Sequence, residues 1–302
     1  MFSKTKYSVT QEQVRAIFEK AGLGEVLSSR LISSGQFNSL LAVATRQGDF
    51  VLKIAPLPGV KVLTHERGLL EQELRFYALL RDRGLRVPEV FFSDRSGTVI
   101  PCEYFIMEKL RGTRLDKAKL EKKERERVNA QIEDILALFH GIAGEGFGYE
   151  QMGLEHDWYH GLRKMTQALV GDCAAFGRRC RKGELLLRYI DLHRDILKAV
   201  PSVLVNFDLH YGNLFYHEGQ LAVIDLERCF WGDWIGDCIL CGKPETPSKE
   251  EQVRYYLLLG YLALISHSEK FSRYRPWGLN WCWNVLYCTF NKCWGRLKKL
   301  SR

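Results

Sequence analysis

The chain has 302 residues, 46% of them hydrophobic and 26% charged, with a formal net charge of +8. Such a composition buries a full core and argues against disorder, and no apolar run approaches the roughly 18 residues of a membrane span. The opening MFSKTKYSVTQEQ lacks the apolar stretch of a secretory signal, so a soluble cytoplasmic protein with no membrane partner is expected.

The nine cysteines are odd in number and scattered through a chain too large to need a disulfide framework, which predicts reduced thiols. Cys238 and Cys241 form a C-x-x-C, half of a zinc pattern, but no second pair or suitably spaced histidine completes it, and buried structural cysteines are the expectation. The basic runs Lys117 to Lys123 and Arg296 to Arg302 are short and read as solvated helical faces, so no nucleic-acid partner is expected.

Residues 10 to 22 predict a short helix with Thr10 as N-cap, Gln13 as its capping-box partner and Gly22 past the end. Ser29 to Gly35, Ser39 to Thr45 and Asp49 to Ala55 are β-leaning runs separated by turn compositions, an antiparallel meander. From Leu63 to Leu80 the apolar positions Leu63, Leu70, Leu74, Tyr77 and Leu80 follow a helical period, predicting a helix packed on that sheet. Val87 to Phe92 and Thr98 to Met107 add two strands, with Pro88 at an edge position.

Beyond Gly112 the pattern turns helical. Val128, Ile132, Ile135, Leu138, Phe139 and Ile142 mark one amphipathic helix, Leu185 to Val200 a second, and the apolar Gln252 to Ile265 a buried third. The aromatic tail (Trp277, Trp281, Trp283, Tyr287, Trp294) is expected to pack into the core. The result is an α+β chain in two lobes: residues 1–108 with an antiparallel sheet and a helix, and residues 109–302 mainly α.

The chemistry concentrates in Val203 to Phe215 and Leu221 to Glu227. Asp208 stands five residues before Asn213, and Asp225 follows twelve later inside an apolar, strand-like run. A buried acid needs a cation or strong hydrogen bonds. Phosphoryl transfer supplies that reason, because Mg²⁺ must be held by oxygen ligands beside a group that orients the attacking hydroxyl. Turn and cap chemistry is the plain alternative for these residues, but it leaves Lys53 and Glu73 unexplained.

At this point the sequence resembles the aminoglycoside phosphotransferase family, whose H-G-D-x-x-x-x-N loop is followed by a short hairpin and I-D-W-x or I-D-x-E. Leu136 to His140 and Gly232 to Asp237 extend the resemblance to nearly the whole chain. It implies a two-lobed, protein-kinase-like fold with residues 1–108 binding nucleotide and 109–302 carrying catalysis and the acceptor. It implies Asp208 as catalytic base, with Asn213 and Asp225 holding Mg²⁺. Lys53 would neutralise the α- and β-phosphates of ATP or GTP, paired with Glu73; Glu66 and Glu71 are the weaker candidates for that pairing. Glu108 and Leu110 would hold the purine edge through their backbone, and Gly35 and Ser39 belong to the loop covering the phosphates.

His140 is expected to be structural. Asn206-Phe207 replaces the family's His-Gly: Asn can donate and accept like His, but a backbone angle open to Gly is poorly open to Phe. The implied activity is transfer of a γ-phosphoryl group to a hydroxyl of a small molecule, an aminoglycoside-like antibiotic or a metabolite of choline, homoserine or sugar type; a nucleotide-binding protein without catalysis is the alternative. A polycationic acceptor would want carboxylates, with Glu227, Asp233, Asp237, Glu245, Glu250 and Glu251 as candidates.

Overall fold

The computed structural model describes residues 3–32, 37–241, 247–273 and 280–301, excluding the side chains of 280–287. Gly35, Glu245 and Trp277, and the side chains of Trp281, Trp283 and Tyr287, lie outside that description.

The first helix, α1 (Gln11–Ala21), begins as its sequence predicts: the Thr10 hydroxyl accepts from the Gln13 N–H and the Gln13 side chain accepts from the Thr10 N–H. Gly22 ends it at φ +68. Strands β1 (Val26–Leu31), β2 (Ser39–Thr45) and β3 (Asp49–Ile54) form the meander, α2 (Leu69–Asp82) follows, and β4 (Val90–Asp94) and β5 (Tyr104–Glu108) complete an antiparallel sheet in the order β1-β2-β3-β5-β4. The first strand starts earlier than its composition suggests, because the far end of β2 pairs Thr45 with Val26. The run from Thr98 is strand only from Tyr104; Pro101 cannot donate to a ladder and the chain bends through it.

The second lobe opens on β6 (Thr113–Arg114) and the long α3 (Lys122–His140), then α4 (Trp158–Ala175), α5 (Arg181–Leu192) and α6 (Arg194–Lys198). Leu185 to Val200, expected as one helix, is two, separated at His193. Strand β7 (Val203–Val205) pairs with β10 (Phe230–Gly232), and between them β8 (Leu214–His217) and β9 (Gln220–Val223) form a hairpin whose outer neighbour is β6. A single helical turn, α7 (Cys238–Cys241), precedes α8 (Lys249–Arg273) and α9 (Asn280–Leu300).

Helix α8 is much longer than the apolar stretch Gln252 to Ile265. It continues through the buried polar residues Ser268, Glu269, Ser272 and Arg273, of which Glu269 and Arg273 line the cleft between the lobes, so a hydrophobic period could not reveal them. Val253, Leu257, Tyr261, Leu264 and Ile265 bury its apolar side in the helical core with α4 and α5. Trp294 stacks on Tyr189, with ring centroids 5.3 Å apart, so this part of the tail packs as expected. Among the described residues no helix is long and apolar enough to cross a membrane.

Candidate active site

The cleft between the lobes encloses about 720 Å³. Strand β3 aims Lys53 into it from the sheet, and α2 presents Glu73 to meet the ammonium at 2.7 Å, with both side chains almost wholly buried. The pairing read from sequence is therefore present. The other two glutamates are engaged elsewhere, Glu66 with Arg273 and Glu71 with Arg95.

Lys53 reaches across the cleft to two further carboxylates, Asp225 at 2.9 Å and Glu227 at 3.2 Å. Burial alone favours the neutral amine, yet Asp225, Glu227 and Glu73 together hold Lys53 well above its ordinary range, so it is a cation. Burial opposes ionisation of Asp225 as well, but Lys53 brings it below the usual carboxylate range. Glu73, desolvated and facing two other carboxylates, is pushed up to about 7, and Glu227 is raised by burial and by Asp225.

Three carboxylates around one ammonium leave negative charge unbalanced, and Glu73, Asp225 and Glu227 bring one oxygen each within 4.8 Å of one another. Asn213 lines the same space; its amide nitrogen donates to the Asp208 carbonyl at 3.1 Å, so its oxygen is the free end of that amide. All these donors are hard oxygens, the ligand chemistry that Mg²⁺ accepts. Glu227, expected to line an acceptor site, is thus part of the Lys53 group and also accepts from Asn38 at 2.8 Å.

Asp208 stands on the loop after β7, with a fifth of its side chain exposed. Burial is the main reason its carboxyl is pushed up to about 7, against the Arg228 guanidinium, whose Nε lies 3.7 Å away. The Asn206 side chain accepts from the Asp208 N–H at 3.0 Å, the loop-holding role anticipated for it.

Phe207 adopts φ +60, the left-handed conformation that the substitution of Gly was expected to obstruct. Two features hold it there. Asp237 accepts from the Phe207 N–H at 2.7 Å, and the ring is buried against Phe230 and Tyr261, at 5.1 and 6.0 Å between centroids. The strain is about 1–2 kcal/mol, whereas deleting a buried aromatic ring costs about 3–5 kcal/mol. Phe207→Gly should therefore destabilise the protein by about 2–3 kcal/mol in urea unfolding despite relieving the backbone, a balance that a stabilised variant would reverse.

Of the remaining sequence candidates, Glu108 at the end of β5 and Leu110 just past it line the cleft. Ser39 does not: it is buried and its hydroxyl donates to the Tyr7 carbonyl at 2.7 Å, while the neighbouring Phe37 lines the cleft and Asn38 reaches Glu227. His140 is structural, its Nε2 lying 2.9 Å from Asp237. Asp233 and Asp237, proposed for an acceptor surface, are fully buried behind the loop, and Asp233 pairs with Arg254 at 2.8 Å. Glu250 and Glu251 stand at the start of α8, where Glu251 and Ser248 cap each other.

Sequence reasoning missed Arg228, which flanks Asp208, and a group of residues on α8. Ser266, Glu269, Lys270 and Arg273 all line the cleft, at intervals of three, four and seven that place them on one helical face. That spacing, S-x-x-E-K-x-x-R, is the signal that was there to be read. Gln72 donates to the Cys229 carbonyl and the Asp225 N–H to the Tyr77 hydroxyl, so α2 is tied directly to the segment carrying Asp225.

Residues 28–277 match the family model described as phosphotransferase enzyme family. No curated protein matches the chain. Among solved structures it is similar to an aminoglycoside phosphotransferase candidate from Ralstonia eutropha JMP134, with 15% identity, 96% of this chain and 98% of that one covered and a TM-score of 0.65. A thermostable mutant of aminoglycoside phosphotransferase APH(4)-Ia, in ternary complex with AMP-PNP and hygromycin B, gives 14%, 95%, 97% and 0.62. A fructosamine-3-kinase candidate from Haemophilus somnus 129PT gives 13%, 93%, 97% and 0.63. At such identities the likeness is one of fold, two-lobed and protein-kinase-like.

Proposed function

Since the chain belongs to the phosphotransferase enzyme family, we propose that it is a Mg²⁺-dependent small-molecule kinase, transferring the γ-phosphoryl group of ATP or GTP to an acceptor hydroxyl. The observation that carries this reading is the convergence, in one cleft, of the Lys53–Glu73 pair from the sheet lobe with Asp208, Asn213 and Asp225 from the helical lobe. Residues 1–108 then bind the nucleotide and residues 109–302 supply base and acceptor site. The purine edge lies along the backbone of Glu108 and Leu110, and Lys53 holds the phosphates.

Asn213, Asp225 and Glu227 would hold Mg²⁺, which when bound neutralises charge on the β- and γ-phosphate oxygens. Asp208 orients the acceptor hydroxyl and receives its proton as the bond to phosphorus forms, so that catalysis rests on positioning and charge. Phe207 in place of Gly was the departure that put activity in doubt; its backbone in the left-handed region supports an intact loop.

The test is nucleoside triphosphate consumption by the purified protein, with and without Mg²⁺, across a panel of hydroxyl compounds. Turnover stimulated by an acceptor and lost in Asp208→Asn is the expected result; nucleotide binding with no stimulation by any acceptor would favour the non-catalytic reading. In parallel, Asp225→Asn should weaken binding of the Mg²⁺ nucleotide by about 10-fold or more in calorimetry. An unchanged affinity would remove Asp225 from the metal site.

A further inference from the structure

We infer that His210 is a further catalytic residue: its Nε2–H donates to the oxygen of the attacking hydroxyl while that hydroxyl donates to Asp208, so the reacting atom is held between the two side chains. This rests on the phosphotransferase reading and specifies how its site receives the acceptor.

His210 follows Asp208 by two residues and opens the tight turn Tyr211–Asn213. Its Nδ1 accepts from the Gly212 N–H at 2.9 Å. A ring nitrogen that accepts carries no proton, so the hydrogen of this imidazole is on Nε2. The ring lies against Gly212, where a Cβ would come within 2.6 Å of His210 Cε1. Half-exposed, it lines the cleft, and its Nε2 faces Asp208 Oδ1 at 4.0 Å, too far for a direct hydrogen bond. Neither oxygen of Asp208 accepts a hydrogen bond from a described residue; Arg228 Nε stops 3.7 Å from Oδ2.

A donor and an acceptor 4.0 Å apart leave room for one oxygen between them. Placed about 2.7 Å from the carboxylate and about 2.9 Å from the nitrogen, it makes two hydrogen bonds that meet at about 90°. The pair dictates what that oxygen is. It must donate to Asp208, so it carries a hydrogen, and it must accept from Nε2, so it offers a lone pair. A hydroxyl does both. A phosphate oxygen has no hydrogen to give and would meet the carboxylate as a like charge, and an ammonium has no lone pair for the Nε2–H.

With its hydrogen toward Asp208 and one lone pair toward His210, the hydroxyl keeps a second lone pair for attack. That pair forms the bond to the γ-phosphorus as the bond from phosphorus to the β,γ-bridging oxygen breaks, its electrons leaving with the nucleoside diphosphate, and the hydroxyl proton passes to Asp208. His210 keeps its own proton throughout and contributes direction.

The test separates the two ring nitrogens. Asparagine at 210 can accept from the Gly212 N–H as Nδ1 does but puts no donor at the Nε2 position, whereas glutamine reaches that position with an NH₂ group. The full-length protein is assayed with Mg²⁺ and ATP or GTP, with water as acceptor and with the panel compound that stimulates turnover most. His210→Asn should lower both rates by about 10-fold or more and raise the KM of that compound, with a thermal midpoint close to that of the wild type. His210→Gln should recover most of the lost turnover even where its thermal midpoint is lower. The nucleotide KM should stay within about twofold in both, and in an Asp208→Asn background His210→Asn should cost less than about threefold, because the two side chains act on one oxygen.

Wild-type turnover in His210→Asn would reduce the ring to a cap of its turn and overturn the inference. So would losses in the two variants that follow their thermal midpoints, or a loss confined to the nucleotide KM, which would place the N–H on the triphosphate. If the wild type consumed no triphosphate with water or any acceptor, the phosphotransferase reading would fall and this inference with it.

Discussion

Asp208→Asn should lower kcat by about 10²- to 10⁴-fold while changing nucleotide affinity little, the magnitude typical of a positioned general base. The carboxylate lies beside Arg228 and feels the charges of Asp225 and Glu227, but among the described residues no hydrogen bond joins it to Lys53. Asparagine keeps the shape and can still face Arg228, but it cannot accept the hydroxyl proton. Because burial pushes the Asp208 carboxyl up to about 7, the base is progressively lost as pH falls. The kcat/KM of the wild-type protein should therefore drop about tenfold per unit well below pH 7, and Asp208→Asn should flatten that limb. A variant that binds nucleotide poorly and keeps its turnover would place Asp208 in binding and not in chemistry.

The second large effect is on stability. Asp237 is buried and accepts from the Phe207 N–H at 2.7 Å, from the Asn206 N–H at 3.3 Å and shares a hydrogen bond with His140 at 2.9 Å. Each bond to a charged acceptor contributes about 1.5–3 kcal/mol, and removing the carboxylate strands two buried N–H donors, one of them on a strained residue. Asp237→Ala should cost about 3–5 kcal/mol in urea unfolding and also depress turnover, since Asp208 directly follows the released segment. Asp237→Asn presents an oxygen to one donor but an NH₂ group to others, and should fall between. A cost under about 1 kcal/mol for the alanine variant would show that the loop holds its shape without this anchor.

Much of the site was readable because its parts are local in sequence. Asp208, Asn213 and Asp225 lie within one loop and hairpin, and Lys53 announces itself as a cation in an apolar strand. The Lys53–Glu73 pair followed from the resemblance, and the structure supplies its geometry. Legibility failed where tertiary packing decides the role of a side chain. The polar end of α8 has no apolar period to extend the helix, and Glu269 acquires meaning only through Arg228 and Arg273. Glu227, Asp233 and Asp237 were grouped as acceptor carboxylates on charge alone, yet Lys53, Arg254 and the loop N–H groups claim them. Asn38 lies in the bend just before β2 and Ser39 is the first residue of the strand, and only Asn38 reaches the cleft group, a difference that tertiary packing decides.

The left-handed Phe207 also constrains how this chain can change over generations. A Cβ placed on Gly236 would lie 2.9 Å from Val205 Cγ1 and 3.1 Å from Phe207 Cδ2, so the ring at 207 is housed only while 236 stays bare. The two positions are coupled, but emptying 207 does not by itself open 236, because the closer contact, with Val205, remains; filling 236 requires both neighbours to give way. The packing beside Asp208 thus ties positions 205, 207 and 236 to one another.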